Sequence, residues 1–420
     1  MAGTSRDMTA ARPDGDRPVY GLYGPVDDTA ATLADLLRGG AVLRQIPTGV
    51  LAALETGSAR LREEALNRLT HHQDLPLVGA AGFDDWWNGA LGALNTTFPL
   101  AQARLLVTDK AALYQRLRAH GIAVPAFVTG ELSTRLVADA VSQFGPGPIL
   151  KPTTGAGSRG VYRYRDDLPV EDNLALYRHL LRLGHIDSST TILALEYIGG
   201  PEALEISVDV IVADGQIIAS TVHEKLTATQ VHPFVDRVMV SPPMHPTITA
   251  ALPLLDPTIG QIPAVLAIAD AVLHVEMRLH QDSWHVLDIG VRPGAGLVAC
   301  SVQALTGLDP RVAHLLASIG QPLTDNAIKQ AAPTHAATCI ACCYITEASR
   351  PAATLTEQAT LATELHGTPE VIGWHLNAAE TSDQLYRPDA GLSIGVGAPD
   401  PYTAITRLRS IVEPHHYATT

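Results

Sequence analysis

The stretch Pro148–Tyr164, PILKPTTGAGSRGVYRY, constrains the fold more than any other part of this chain. It holds Gly155-x-Gly157-x-x-Gly160, the spacing of a dinucleotide fingerprint, with Lys151 placed ahead of the glycines. Such a fingerprint, like a Walker loop, must open a helix whose N-terminus meets phosphate. Here Gly160 leads into VYRYRD, where Val and aromatic residues alternate with charge, and that pattern predicts a strand. The Gly-Lys-Ser/Thr ending of a Walker loop is also missing. The glycines are therefore expected to join two strands. Protein kinases use a loop of that kind, but the chain lacks their Val-Ala-Ile-Lys strand and His-Arg-Asp loop. Taken alone, the segment suits equally a hairpin folding over nucleotide phosphates and an ordinary glycine-rich turn.

A second segment, LHVEMRLHQDSWHVLDIGVRPGAG (273–296), reads as a hairpin. With its turn centred on Asp282, Glu276 faces Asp288. Period-2 alternation then puts Val275, Met277, Leu287 and Ile289 on one face, and Glu276, Arg278, Asp288 and, just beyond, Arg292 on the other. Two carboxylates directly opposite on one sheet face repel each other. A divalent cation turns that cost into coordination, and oxygen ligands suit Mg²⁺ when a phosphate completes the shell. The competing reading is a solvated charged face in which Arg278 and Arg292 offset the acids. The glycine loop and the acid pair in one chain favour the cation, because together they supply metal and phosphate neutralisation.

The 420 residues exceed one ordinary core and suit two or three packed subdomains. A net charge of −14 argues against a nucleic-acid or anionic-membrane partner. No apolar run reaches transmembrane length, and the first residues lack an apolar h-region, so residues 1–18 are expected to be a disordered tail and the protein cytoplasmic. A homodimer is compatible with the sequence, which leaves the oligomeric state open. Cys339-Ile-Ala-Cys342 has zinc or redox spacing, but AATCIACCYITEA reads as a buried strand with no second ligand pair. His71-His72 and His415-His416 read as solvated or satisfied histidines.

Along the chain, VYGLYGP (19–25) predicts a first strand and LPLVGAAG (75–82) a later one, within an α/β domain over 19–105. DDTAATLADLLRGG and DDWWNGALGAL (84–94) belong to the same unit. TDKAALYQRLRAHGIAVPAF (108–127) predicts a helix capped at Thr108 or Asp109 and closed by Gly121. PILKP, GVYRYRD and TTILALEYI predict strands around a helix at 171–184. A hairpin follows with its turn at Ala213-Asp214-Gly215, then a helix at 262–272. The last part, ending in the helix DPYTAITRLRSIV (400–412), suits an α+β region.

Four segments in order, TDKAALYQRLRAHGIAVP, ILKPTTGAGSRGV, LEYIGGPEALEISVDV and HVEMRL…HVLDIGVRPGAG, resemble the ATP-grasp superfamily of carboxylate–amine ligases. The flanks, with the closing GLSIGVGAPDPYTAITRLRSIV, most resemble L-amino-acid ligases, which join amino acids into dipeptides. The resemblance implies an α/β and α+β chain of ATP-grasp fold, with an N-terminal α/β pre-grasp domain, a central lid subdomain and a C-terminal antiparallel catalytic sheet. The boundaries expected are 19–105, 106–192 with the lid, 193–310 for the catalytic sheet and 311–420 completing the grasp domain. It implies ATP with Mg²⁺ as cofactors, Mn²⁺ being an alternative, and small carboxylate and amine partners.

Position by position, the resemblance places Lys110 and Lys151 on ATP phosphates and Gly155, Gly157, Ser158 and Gly160 in a lid over them. Glu196, Tyr197 and Ile198 would hold adenine, and Glu205, in preference to Glu202, the ribose. Lys225 would reach ATP or substrate. Glu276 and Asp288 would bind metal, while Arg292, with Lys151 and Arg278, would serve the chemistry. The family usually ends this hairpin Glu-x-Asn-x-Arg, whereas this chain has Asp288-Ile-Gly290-Val-Arg292, which removes a side-chain ligand for a second metal. The function implied is an ADP-forming ligase making an amide through an acyl phosphate. The alternatives are a ligase activating bicarbonate or formate and a degenerate ATP-binding protein. Specificity is expected in 223–243 and after Arg292.

Overall fold

The computed structural model describes residues 97–155, 158, 160–183, 186–187, 189–198, 204–226, 238–295, 297–324, 328–329, 339–346, 365, 368, 370–377 and 391–412, with three strand backbones near the start. Those strands, β1 (Val19–Tyr23), β2 (Val42–Gln45) and β3 (Leu77–Gly82), form a parallel sheet in the order β2-β1-β3. The expected strands at 19–25 and 75–82 are both present. Residues 1–18 and the segments DDTAATLADLLRGG and 84–94 lie outside the described residues.

A four-stranded sheet follows: β4 (Phe127–Gly130), β5 (Ile149–Pro152), β6 (Tyr162–Arg163) and β7 (Ile192–Leu195), ordered β4-β7-β5-β6. β5 and β6 pair antiparallel, Ile149 with Arg163 and Leu150 with Tyr162. The glycine segment therefore joins two strands, as Val and Tyr after Gly160 dictate. Helices Thr134–Phe144 and Val170–Leu183 cover this sheet with Leu136, Val137, Leu174, Tyr177 and Leu181.

The largest sheet has eight strands, all paired antiparallel. They are β8 (Glu205–Ala213), β9 (Gln216–Lys225), β10 (Val238–Ser241), β11 (Ala271–His280), β12 (Ser283–Gly290), β13 (Cys339–Thr346), β14 (Val371–Asn377) and β15 (Gly391–Ala398). Their order is β12-β11-β8-β9-β10-β13-β15-β14. Asp214 (φ 50°) and Gly215 (φ 73°) make the two-residue β8–β9 turn, the backbone that an Asp-Gly pair favours. Cys339 and Cys342 are buried, unbridged thiols in β13, so the CxxC spacing belongs to a strand. Helix Pro401–Val412 packs its Ala404, Leu408 and Val412 against Ile394 and Val396.

The two faces of β8 and β11 divide by residue type. Ile206, Val208, Leu273, Val275 and Met277 enter a core shared with Leu113, Tyr114 and Leu117 of helix Lys110–Ala119 and with Ile259 and Ile262 of helix Asp256–Val265. Each such aliphatic side chain contributes about 1.5–3 kcal/mol on burial. The opposite face carries Glu205, Ser207 and Asp209 beside Arg278, Glu276 and His274. Farther along that face Ile211 and Val272 turn it apolar beneath helix Pro310–Ser318. The polar grid is thus confined to one end of the sheet.

Two expectations need correction, the helix at 262–272 and the turn of the 273–296 hairpin, whereas the helix capped at Asp109 is present as expected. The helix placed at 262–272 runs over Asp256–Val265, because Pro257 suits its first turn and Ala267 (φ 54°) takes the left-handed conformation that ends it. β11 then begins at Ala271. A helix at Ala101–Thr108 precedes the expected one, which starts at Lys110 with Asp109 accepting from the Ala111 and Ala112 amides. In the β11–β12 hairpin the turn is Gln281–Asp282 (φ 48° and 58°), and Leu287 forms a bulge. Val286, not Leu287, therefore joins the apolar face.

Candidate active site

The bulge builds part of the site. Glu276 pairs with Asp288 as the sequence predicts, but Met277 pairs with Val286, leaving Leu287 without a cross-strand partner. The Leu287 carbonyl accepts instead from Tyr114 Oη at 2.7 Å and from Lys151 Nζ at 3.1 Å. Lys151 also donates to Tyr114 Oη at 3.2 Å. Burial drives the Lys151 ammonium below the usual lysine range, against the pull of Asp288, Glu276 and Glu205.

Lys110 opens its helix beside this group, its backbone amide donating to the Thr153 carbonyl at 2.8 Å and its Nζ to Asp288 Oδ2 at 2.5 Å. Glu276 Oε1 accepts from Lys225 Nζ at 2.8 Å, and the same ammonium lies 2.8 Å from Glu205 Oε1. The other Glu205 oxygen accepts from Arg278 Nε at 2.7 Å, while Arg278 Nη1 donates to the Ile198 carbonyl at 3.3 Å. Burial opposes the charges on Glu205 and Glu276, yet both carboxyls are held below their usual range. Lys225 and Arg278 do this for Glu205; Lys225 and His274 do it for Glu276.

Glu196, Tyr197 and Ile198 directly follow β7. The Glu196 amide donates to the Ala126 carbonyl at 2.8 Å, so it is committed to the fold. The Tyr197 ring lies under Arg163 at 3.9 Å and near Arg278 at 5.7 Å. Arg292, beyond β12, donates from Nη1 to the Pro293 carbonyl at 2.8 Å. Gly155, Ser158 and Gly160 lie in the β5–β6 connection, Ser158 exposed and Gly160 buried. Gly157 and Glu202 lie outside the described residues.

Lys110, Lys151, Glu205, Lys225, Glu276, Arg278 and Asp288 thus form one linked group around the β11–β12 hairpin. Within it three carboxylates are held by three cations, and a fourth, Lys151, stands on the bulge carbonyl. Residues 146–301, which span this hairpin and the glycine segment, match the family model described as an ATP-grasp domain. The chain carries an ATP-grasp domain. The fold of the described residues is an ATP-grasp fold of mixed α/β type. An L-amino acid ligase from Bacillus licheniformis superposes with a TM-score of 0.67 at 14% identity, covering 94% of this chain and 97% of that one. Carboxyaminoimidazole ribonucleotide synthase from Aspergillus clavatus, complexed with ATP, gives 0.64 at 16% identity, covering 94% and 98%. Phosphoribosylglycinamide synthetase from Anaerococcus prevotii gives 0.59 at 12%, covering 95% and 98%. No curated protein matches the chain in sequence.

Among the described residues, no group of three or more His, Cys, Asp or Glu is arranged to hold a metal. Glu276 and Asp288 nevertheless fit a hard cation as an oxygen-only pair, provided that phosphate oxygens or water complete the shell. No helix among the described residues is long and apolar enough to cross a membrane.

Sequence reasoning missed Tyr114, Asp209, His223 and His274. Asp209 accepts from His274 Nδ1 at 3.0 Å and from the Gly294 amide at 3.0 Å. His223 Nδ1 lies 3.6 Å from the same carboxylate, and its Nε2 bonds Ser301 Oγ at 2.9 Å. Burial works against the charge of His274, but the charge of Asp209 and its hydrogen bond, with the Glu276 carboxylate nearby, raise it to about 9. For His223 burial prevails over Asp209 and takes it down to about 4. A signal existed: Asp209 and His274 follow Glu205 and precede Glu276 at even spacing, which places them on the same faces as those acids.

Proposed function

We propose that the protein is an ATP-dependent, ADP-forming carboxylate–amine ligase acting on amino-acid substrates. The observation that carries this reading is the pairing of Lys110 with Asp288 and of Lys225 with Glu276, next to Lys151 and a glycine hairpin. Two acids facing across a hairpin suit a cation, and lysines beside them suit phosphate oxygens. Mg²⁺, when bound by Glu276 and Asp288, would neutralise phosphate charge.

The chain's own residues do the rest by position and charge. Lys110 and Lys151 would bind phosphate oxygens. The Gly155–Gly160 segment would close over them with backbone N–H groups and exclude water. Glu205, oriented by Arg278, would take the ribose hydroxyls, with adenine beside Glu196–Ile198. The γ-phosphoryl group would pass to the substrate carboxylate, giving ADP and an acyl phosphate. Arg292 would hold the charge that develops as the amine attacks. Phosphate then leaves and the amide forms.

Incubation with Mg-ATP and pairs of amino acids, read by ADP release and mass spectrometry of the product, tests the proposal. ADP and a dipeptide support it. Turnover with bicarbonate as the sole acid would point instead to the carboxylase-type chemistry, and ATP binding without ADP formation to a degenerate site.

A further inference from the structure

One row of the polar grid takes no part in the chemistry just described. Across the sheet, Gly290, His274 and Asp209 are register partners on β12, β11 and β8, next to the row that carries Asp288 and Glu276. Asp209, its side chain only 2% exposed, grips two different pieces of chain. One is His274, whose Nδ1 lies 3.0 Å and 3.2 Å from the two carboxylate oxygens. The other is the turn after Arg292, whose Gly294 amide donates to Asp209 Oδ1 at 3.0 Å. His274 Nε2 in turn faces Glu276 Oε1 at 3.9 Å.

The site is shaped for this contact. A Cβ on Gly294 would stand 2.8 Å from His274 Nδ1 and would collide with Val298, so only glycine lets the turn sit against the imidazole. A buried carboxylate costs several kcal/mol to desolvate unless charged or polar donors surround it. Here the donors come from the strand bearing Glu276 and the turn bearing Arg292. A displacement of either would leave Asp209 short of a donor.

We propose that Asp209 and His274 are positioning residues that fix Glu276 and Arg292 relative to each other. The acid on the cation side and the guanidinium on the acyl side thereby keep one separation through the reaction. The inference rests on the ligase reading, which makes those two side chains the ends to be aligned.

His274→Asn retains a polar group near Nδ1 for Asp209 but deletes the Nε2 edge facing Glu276, while Asp209→Asn keeps shape and removes charge. Three quantities separate positioning from plain structural support: Mn²⁺ affinity in the presence of ADP, ADP affinity without metal, and the kcat-against-KM split. Outer-shell partners of this sort typically change metal affinity or activity by about 10–100-fold. Both variants are expected to lose about tenfold or more in Mn²⁺ affinity at saturating ADP and to fall in kcat. ADP affinity without metal should stay within about threefold, since neither residue lies at the nucleoside side. Should Asp209→Asn fail to fold, His274→Asn still decides, because it leaves the Asp209–Gly294 contact in place. Variants that melt earlier but keep wild-type Mn²⁺ affinity and kcat would overturn the proposal alone. A wild-type protein that binds no Mn²⁺ with ADP would overturn the ligase reading and the proposal with it.

Discussion

Lys225 Nζ stands 2.8 Å from Glu205 and 2.8 Å from Glu276, bridging an acid on β8 and an acid on β11. The side chain of Lys225 is 3% exposed and that of Glu276 31%, so the cation is buried while one partner is reached by solvent. Removing a partner from a buried ion pair costs about 3–5 kcal/mol, and the half-open Glu276 brings this to the lower end. Lys225→Met should therefore destabilise the protein by about 3 kcal/mol in urea unfolding and weaken nucleotide binding. An unchanged unfolding midpoint would mean that the bridge contributes nothing.

The lysines also occupy the acids that a metal would use. With Lys110 on Asp288 and Lys225 on Glu276, free Mn²⁺ meets carboxylates that are already neutralised. Phosphates would draw Lys110 away and release Asp288, so metal and nucleotide should bind interdependently. Wild-type protein is expected to bind Mn²⁺ at least about tenfold more weakly without ADP than with it. Lys110→Ala should strengthen Mn²⁺ binding without nucleotide and weaken ADP binding. Electron paramagnetic resonance of free Mn²⁺ reads the first and equilibrium dialysis of ADP the second. Equal Mn²⁺ affinity in wild type and variant without ADP would refute the exchange.

Asp209 holds two histidines shifted in opposite directions from 6.5, His274 up to about 9 and His223 down to about 4. The raised group gives stability that is complete below 6.5 and lost as pH rises through 9. For the depressed histidine the unfolded chain binds the extra proton between 4 and 6.5, so its contribution falls as pH drops through that window. Each limb amounts to about 3 kcal/mol at most. Stability measured by denaturant should peak near neutral pH, with His274→Asn flattening the alkaline limb and His223→Asn the acid limb. A wild-type alkaline limb in His274→Asn would contradict the assignment.

Gly160 has φ 73°, and a Cβ there would lie 2.8 Å from Ile186 Cδ1 and 2.9 Å from Pro152 Cγ. Gly160→Ala should cost about 1–3 kcal/mol through backbone strain and crowding at the base of the glycine hairpin. Thermal unfolding measures it, and an unaltered melting temperature would show that the hairpin adapts freely.

The glycine hairpin was legible because the strand-forming residues around it exclude a helix whatever the glycine spacing suggests. The facing of Glu276 and Asp288 was also legible, although by compensation. The true turn is half a residue from the expected centre, and the Leu287 bulge restores the register beyond it. Period-2 alternation cannot show a bulge, so the carbonyl that receives Lys151 and Tyr114 stayed hidden. Asp209 meets His274 only through the pairing of β8 with β11, a long-range contact that local pattern does not specify. The helix expected at 262–272 erred for a local reason, the left-handed Ala267 that ends it early.

The nucleotide product decides whether the protein is an ADP-forming ligase. With Mg-ATP and a productive pair of amino acids, ADP and phosphate are expected one for one with a dipeptide, and both should be lost in Lys151→Ala and Glu276→Ala proteins that still fold. AMP and pyrophosphate as products, or undiminished turnover in either variant, would contradict it.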